Sequence, residues 1–133
     1  MIDYRTLPRH HVLCLDMKSF FASCECVRRG LDPEEAYLAV VGDVHRSGSV
    51  VLAATPRLKK EYGIGTGKRL FDVPRHPFIH IVPPSMRYYL HQSMEVTRLL
   101  RRFVPEEAIH PYSIDEWWIC IDGMDHLQEG AWT

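Results

Sequence analysis

The chain alternates between short apolar runs and amphipathic segments, a pattern typical of a protein with mixed strands and helices. Apolar runs predict strands at 11–16, 38–42, 49–54 and 78–82, and a hairpin made of 108–114 and 117–121. Helical spacing predicts helices at 18–29, 55–63 and 85–103. Strands and helices that end in a hairpin favour an α+β fold over a regular doubly wound sheet.

Local signals mark the helix ends and faces. Thr55 followed by Pro56 predicts a helix start with a capping hydroxyl, and Ser85 is expected to cap the long third helix. On that third helix, the spacing places one apolar face at Met86, Leu90, Met94, Thr97 and Leu100. The glycine-rich stretch 63–67 lacks both the dinucleotide fingerprint and the Walker lysine spacing, so it predicts a turn.

Composition narrows the class of protein. The 133 residues suffice for one compact domain or for part of a larger protein, and 46% hydrophobic with 25% charged residues is typical of soluble globular proteins. No signal peptide or membrane-spanning run is apparent, so we expect a cytoplasmic protein without a membrane partner. The four cysteines lack zinc-type spacing and are expected to be reduced and mostly buried. A net charge of −1 is unusual for a nucleic-acid reader, although positive charge clusters locally at 57–60, 68–69 and 98–102.

Three carboxylates are the clearest candidate chemistry. Asp16 closes the first apolar run, and the adjacent Asp115 and Glu116 lie at the predicted hairpin tip. Converging carboxylates near a core are unfavourable unless a hard divalent cation compensates their charge. Adjacent strand residues point to opposite faces, so both hairpin acids reach one ion only where the chain turns. The set predicts a magnesium-dependent phosphoryl-transfer site, with an exposed acidic turn as the alternative for the pair alone.

Two further segments could bind phosphate. After Asp16, the start of the first helix offers free N–H groups, and the carbonyl of Met17 is a plausible metal ligand. The alternative is an ordinary amphipathic helix with Phe20 and Phe21 in the core. The basic helix start 55–60 could neutralise a triphosphate, or it could be a solvated face.

In this order, the motifs resemble those of Y-family (translesion, UmuC-like) DNA polymerases. The resemblance is carried by Asp-x-x-x-Phe-Phe-Ala at 16–22, Val-Val-Leu-Ala-Ala-Thr-Pro at 50–56 and Tyr-Ser-Ile-Asp-Glu at 112–116, and it runs from about His11 to Asp122. It implies a DNA-repair nucleotidyltransferase that performs template-directed synthesis past damage, with a place in the SOS response and a nucleoid-associated, cytoplasmic location.

The resemblance also implies residue roles. Asp16, Asp115 and Glu116 would be catalytic and would hold two Mg²⁺ ions, with Mn²⁺ as a substitute and the Met17 carbonyl as a further ligand. Phe21 would be the steric gate, a ring under the sugar that excludes a ribose 2′-hydroxyl. The triphosphate would be contacted by the backbone of Ser19, Phe20 and Phe21 and by the side chains of Thr55, Arg57 and Lys59 or Lys60.

The implied architecture is an incomplete palm at 1–17 and 79–133 with small fingers at 18–78 inserted, the thumb and little finger being absent from this chain. DNA primer–template and dNTP are the partners expected of the full-length protein, with a sliding clamp bound through the missing C-terminal region. An incompletely paired palm sheet would expose an edge and favour self-association.

Several departures from the family pattern leave alternatives open. Either Lys59 or Lys60 stands in place of the family arginine. Lysine lacks the bidentate fork of arginine, so weaker triphosphate binding is expected. Trp117 stands where the family prefers a small residue, and it would either crowd the site or pack underneath. The isolated chain is expected to extend no primer, and the alternative function is a non-catalytic fragment that binds nucleotide or protein. A magnesium phosphohydrolase built on Asp16 is disfavoured, because Lys18 occupies the place of its second acid.

Overall fold

The elements follow the predicted order. The computed structural model describes Arg5 and residues 11–122. Within that part, the strands and helices are β1 (Val12–Asp16), α1 (Phe20–Arg28), β2 (Tyr37–Val41), β3 (Val51–Ala54), α2 (Pro56–Tyr62), β4 (Ile79–Val82), α3 (Met86–Leu100), β5 (Ile109–Ser113) and β6 (Glu116–Cys120). The predicted α+β class is confirmed, since the described residues form two small sheets and three helices.

The described residues form two packing units, the first drawn from 1–17 and 93–133 and the second from 18–92. In the first unit, an antiparallel sheet in the order β1-β6-β5 covers a core of Val104, Ile109, Trp117, Ile119 and Ile121. Trp117 is fully buried there, and its Nε1–H donates to Thr97 Oγ1 at 2.8 Å. The indole therefore packs underneath the sheet, which decides between the two placements left open above.

The second unit is built around β2, the middle strand of a sheet in the order β3-β2-β4. β2 is antiparallel to β3 and parallel to β4. Leu38 and Val40 point into one hydrophobic cluster, which α1 completes with Ala22 and Cys26. The alternating Ala39 and Val41 point into another cluster, which contains Leu58 of α2. A strand covered on both faces reads as a continuous apolar run, as this sequence does.

The boundary between the two packing units falls within α3, whereas the predicted fingers end at residue 78. The strand β4 lies beyond that point and pairs with β2, so 79–92 belong to the second packing unit. Packing units and polymerase subdomains are different divisions of a chain, and the palm and fingers assignment stays a prediction.

The helix α2 begins and ends where predicted, but Thr55 does not cap it through its side chain. The Thr55 hydroxyl instead accepts the Leu38 N–H at 3.1 Å, and the Thr55 N–H donates to the Leu38 carbonyl at 2.9 Å. Because Thr55 is fully buried against β2, its hydroxyl satisfies a core N–H that has no access to water. At the other end, Gly63 adopts a left-handed φ of 69° and closes the helix.

The apolar face predicted for α3 is confirmed at Leu100, which packs against the Trp117 core, and at Thr97, which bonds Trp117, but it is wrong in the first half of the helix. Met86, Leu90 and Met94 are 53%, 54% and 59% exposed, whereas Tyr89 and Ser93 are buried. The helix is turned so that the large Tyr89 ring and its hydroxyl are both accommodated in the second unit. In the part of the chain that the structure describes, α3 is the longest helix, and no helix there is long and apolar enough to span a bilayer.

Candidate active site

The strand register brings two of the predicted acids face to face. In the antiparallel pairing of β1 with β6, Asp16 lies directly opposite Glu116, and the preceding pair is Leu15 with Trp117. Because side chains alternate along a strand, Asp16 and Glu116 point away from the Trp117 core. Residues directly opposite on one face have Cβ atoms about 4.5–5.5 Å apart, and like charges there are destabilising. The fold therefore holds two carboxylates together at a cost in stability.

Asp115 is fixed in the turn beside this pair. The Met17 N–H donates to the Asp115 carbonyl at 2.9 Å, and the Ser113 hydroxyl donates to Asp115 Oδ1 at 3.1 Å. A register shift between Pro111 and Ser113 bends the hairpin just before the turn. The three predicted carboxylates thus lie at one end of one sheet, and the side chain of Met17 anchors this end by packing against the core.

Two of the acids already have hydrogen-bond donors. Cys14 Sγ–H donates to Glu116 Oε1 at 3.5 Å. Partial desolvation, this hydrogen bond, and the negative charges of Glu116 and Asp16 all raise the pKa of the Cys14 thiol, so it stays protonated as a donor. Among the described residues, no three His, Cys, Asp or Glu side chains gather into a group that could hold a metal. The oxygen donors suit Mg²⁺ chemically, and an ion would compete with the bonds from Cys14 and Ser113.

All four cysteines are free thiols, as expected from their spacing. Cys24 and Cys26 are buried, Cys120 is half-buried and Cys14 is exposed. Two of the four are therefore buried, fewer than expected. Burial raises the pKa of Cys24 to about 11.

In the second unit, the predicted phosphate-binding residues have unequal surroundings. Ser19, just before α1, has a left-handed φ of 51°, which is unusual for a residue with a side chain. Lys59 of α2 reaches this point, and its Nζ donates to Ser19 Oγ at 2.9 Å. Lys60, one position further, is exposed. Of the two lysines, Lys59 is the one beside the start of α1.

The guanidinium of Arg57 already has partners within the second unit. It forms an ion pair with Glu35 at 2.8 Å and a longer one with Glu61 at 3.6 Å, and it lies 5.1 Å from the centre of the Tyr37 ring. Thr55, as described above, is buried and bonded to Leu38. A triphosphate contact by Arg57 would therefore have to replace existing partners.

Phe20 is buried, as the alternative interpretation of this helix expected, whereas Phe21 is only half-buried. The Phe21 ring stacks on the Tyr89 ring, with centroids 4.6 Å apart and planes 14° apart. The Tyr89 hydroxyl in turn donates to Glu25 Oε1 at 2.7 Å. Sequence reasoning missed Tyr89 and Glu25. The available signal was a lone acid between two core cysteines, four residues after Phe21 on the same helix face.

The sheet and the three acids lie where the predicted resemblance expects them, and comparison with known proteins shows the family. The chain belongs to the impB/mucB/samB family, whose model matches residues 15–132. The predicted resemblance to Y-family polymerases is confirmed. A solved Y-family DNA polymerase chimera shares the fold, with a TM-score of 0.74 and 22% identity, over 86% of this chain and 33% of that one.

Three relatives show how much of a longer protein the chain can represent. It is 58% identical over 116 residues to "Putative UV-damage repair protein UvrX" of Bacillus subtilis, covering 87% of this chain but 28% of that protein. It is 39% identical over 119 residues to "DNA polymerase IV 2" of Halalkalibacterium halodurans, covering 87% of this chain and again 28% of the relative. By contrast, it is 56% identical over 115 residues to "DNA repair protein homolog YozK" of Bacillus subtilis, covering 86% of this chain and 100% of that protein.

Proposed function

We propose that this chain is the N-terminal part of a translesion DNA polymerase, which performs magnesium-dependent, template-directed nucleotidyl transfer. The observation that carries the proposal is the pairing of Asp16 with Glu116, beside Asp115 held by Met17. Two like charges in direct cross-strand register weaken a sheet, so their placement is understandable if a cation compensates them. Membership of a family with DNA-repair relatives supports the same function.

In this proposal, Asp16, Asp115, Glu116 and the Met17 carbonyl would hold the two Mg²⁺ ions, or Mn²⁺ in their place. Bound there, the ions would supply Lewis-acid activation of the primer hydroxyl and neutralisation of the phosphate charge. The chain's own contribution is positional. The register of β1 against β6 fixes where two carboxylates stand, and the Met17 N–H fixes the turn that presents the third.

The same proposal assigns nucleotide contacts to the second unit. The backbone at Ser19, Phe20 and Phe21 would donate N–H groups to the phosphates, and Phe21 would exclude a ribose 2′-hydroxyl. Lys59 would take the place of the family arginine, because its ammonium already lies at Ser19. Thr55 and Arg57 would contribute more through the packing of α2 against β2 and Glu35.

Lys59→Ala is expected to weaken binding of dATP with Mg²⁺ by roughly ten- to a hundredfold, because a hydrogen bond to a charged group contributes about 1.5–3 kcal/mol. Lys60→Ala is the matched control and is expected to change the affinity less than about twofold, since Lys60 is an exposed charge. Isothermal titration of both variants measures the difference. Equal losses, or a larger loss for Lys60→Ala, would contradict the assignment to Lys59.

A second candidate function is a non-catalytic module that binds nucleotide or a protein partner. The observation that favours it is YozK, a relative matched over its whole length. Incubating the 133-residue chain with primer–template, dNTPs and Mg²⁺ separates the two functions. Nucleotide binding without extension would favour the module, and magnesium-dependent extension would refute it.

We also propose self-association through the free edge of β1. Among the described residues β1 pairs only with β6, and its Val12 is 49% exposed. A charge on an exposed edge strand opposes pairing between chains, so Val12→Lys is expected to shift any dimer to monomer in sedimentation equilibrium. Val27→Lys, at a 64% exposed valine of α1, is the control and should leave the distribution unchanged. A parent chain that is monomeric at high concentration would rule out this association.

The remaining partners belong to the full-length protein and are proposed on the family relationship. They are DNA primer–template and dNTP at the site, and a sliding clamp bound outside this chain. The corresponding setting is the SOS response, in the cytoplasm close to the nucleoid.

A further inference from the structure

Glu25 is a buried carboxylate, and neither hydrophobic packing nor the proposed catalytic chemistry explains its position. It is fully buried on α1, between the buried residues Cys24 and Cys26. Its partners are the Tyr89 hydroxyl, which donates to Oε1 at 2.7 Å, and an ion pair with Arg29 through Oε2. Arg29 is 37% exposed, so the carboxylate is the buried end of this pair, and burying a charge is unfavourable unless its partners are held in place.

The geometry connects Glu25 to the exposed part of α1 through Tyr89. Phe21 and Glu25 are four residues apart and share one face of the helix. Tyr89 contacts both of them, because its hydroxyl bonds Glu25 while its ring stacks on Phe21 at 4.6 Å. Burial raises the pKa of Tyr89, so the hydroxyl remains a donor through the neutral and mildly alkaline range. Tyr89 is thus held at both ends.

Phe21 is only half-buried, unlike Phe20, so fewer neighbours hold its ring. A ring that excludes a substituent by contact must be unable to retreat, and the rotamer of such a group is fixed by the residues behind it. The ring behind Phe21 is Tyr89, and the polar group that orients Tyr89 is Glu25.

We propose that Glu25 is a positioning residue which, through Tyr89, fixes the ring of Phe21 and sets the preference for deoxyribose over ribose nucleotides. The sugar preference rests on the proposed function, in which Phe21 lies under the sugar. Glu25 itself touches no nucleotide in this proposal. Its effect should therefore appear in the ratio of dATP to ATP affinity rather than in dATP affinity alone.

The test uses the 133-residue chain and four variants. Glu25→Ala removes the acceptor, Glu25→Gln keeps an oxygen acceptor for Tyr89, and Tyr89→Phe removes the donor with little change in volume. Glu95→Ala removes a carboxylate of the same size from α3, where it pairs with Arg98 at 2.7 Å, and is the control. Two quantities are measured for each folded variant: the dATP/ATP affinity ratio with Mg²⁺, and the ring-current shift and nuclear Overhauser contacts of Phe21 with residue 89.

Glu25→Ala and Tyr89→Phe are expected to lower the affinity ratio by roughly fivefold, the effect of one hydrogen bond of ordinary strength. Both should also reduce the ring-current shift of Phe21 and weaken its nuclear Overhauser contacts with residue 89. The double variant Glu25→Ala/Tyr89→Phe should lower the affinity ratio no further than either single variant. Glu25→Gln should retain most of the ratio and the ring shift, and Glu95→Ala all of both. If Glu25→Ala does not fold, Tyr89→Phe and Glu25→Gln decide the same question.

An unchanged ratio with an unchanged Phe21 spectrum in Tyr89→Phe would overturn the proposal. A disordered Phe21 ring with an unchanged ratio would overturn the part that concerns sugar preference. If the parent chain binds neither nucleotide, the proposed nucleotide function fails and the sugar preference fails with it. In that case the ring spectra still decide whether Glu25 positions Phe21, so the two failures are distinguishable.

Discussion

Replacing Asp115 by Asn in the complete gene product is expected to lower magnesium-dependent primer extension by at least roughly a hundredfold. Asn keeps the size of the side chain and an oxygen for the Ser113 hydroxyl, which lies 3.1 Å away in the parent chain. The Met17 bond involves the Asp115 backbone and should survive. The loss would therefore come from the missing charge at the proposed metal site and not from collapse of the turn.

Removing a carboxylate charge from the same site is expected to lower activity but to raise the stability of the fold. Glu116→Gln removes one of two like charges in direct register, so the free energy of unfolding without Mg²⁺ should rise by about 0.2–1 kcal/mol. Extension should fall as it does for Asp115→Asn, and the rise in melting temperature on adding Mg²⁺ should disappear. Glu106→Gln is the control, since that exposed acid pairs with the nearby Arg101 in a surface contact. Undiminished extension by either site variant would end the claim for that carboxylate.

Replacing Trp117 by Ala is expected to lower the free energy of unfolding of the first unit by about 3–5 kcal/mol. The indole is fully buried among Ile109, Ile119 and Ile121, and its removal leaves a cavity as well as a Thr97 hydroxyl without its donor. Chemical denaturation followed by circular dichroism measures the change. For a small unit, a loss of this size is a large part of its total stability.

The adjacent tryptophan provides the control. Trp118 is 44% exposed and lies on the other face of β6, so Trp118→Ala should lower the free energy of unfolding by less than about 1 kcal/mol. Similar losses for the two variants would mean that the strand presents both rings to the core to a similar degree. That result would contradict the face assignment on which the placement of Asp16 and Glu116 depends.

The strands, the helices and the position of the three acids at a strand end and a turn could be predicted from the sequence, because each depends on a short local pattern. Apolar runs, a proline after Thr55 and a glycine at 63 act within a few residues of the element they define. The direct opposition of Asp16 and Glu116 was beyond such patterns, since it depends on register between segments 100 positions apart (116 − 16). The placement of Trp117 depends on the same register.

The failures have a common physical origin in tertiary contacts. The predicted face of α3 followed the spacing of Met86, Leu90 and Met94, but the buried face is set by the large side chain of Tyr89 and its bond to Glu25. The Thr55 hydroxyl was expected to serve its own helix, but an N–H of β2 lies closer and has no water to bond. Local propensity is overridden where a buried polar group requires a partner.

The register of β1 has a consequence for how this segment can change in evolution. A strand has a period of two, so inserting one residue between Val12 and Asp16 would turn the acid inward and an apolar side chain outward. A single substitution within β1 changes one side chain, but a one-residue change in its length would exchange the charged face with the core face. The length of this strand is therefore constrained to change by an even number of residues, a constraint that does not apply to substitutions.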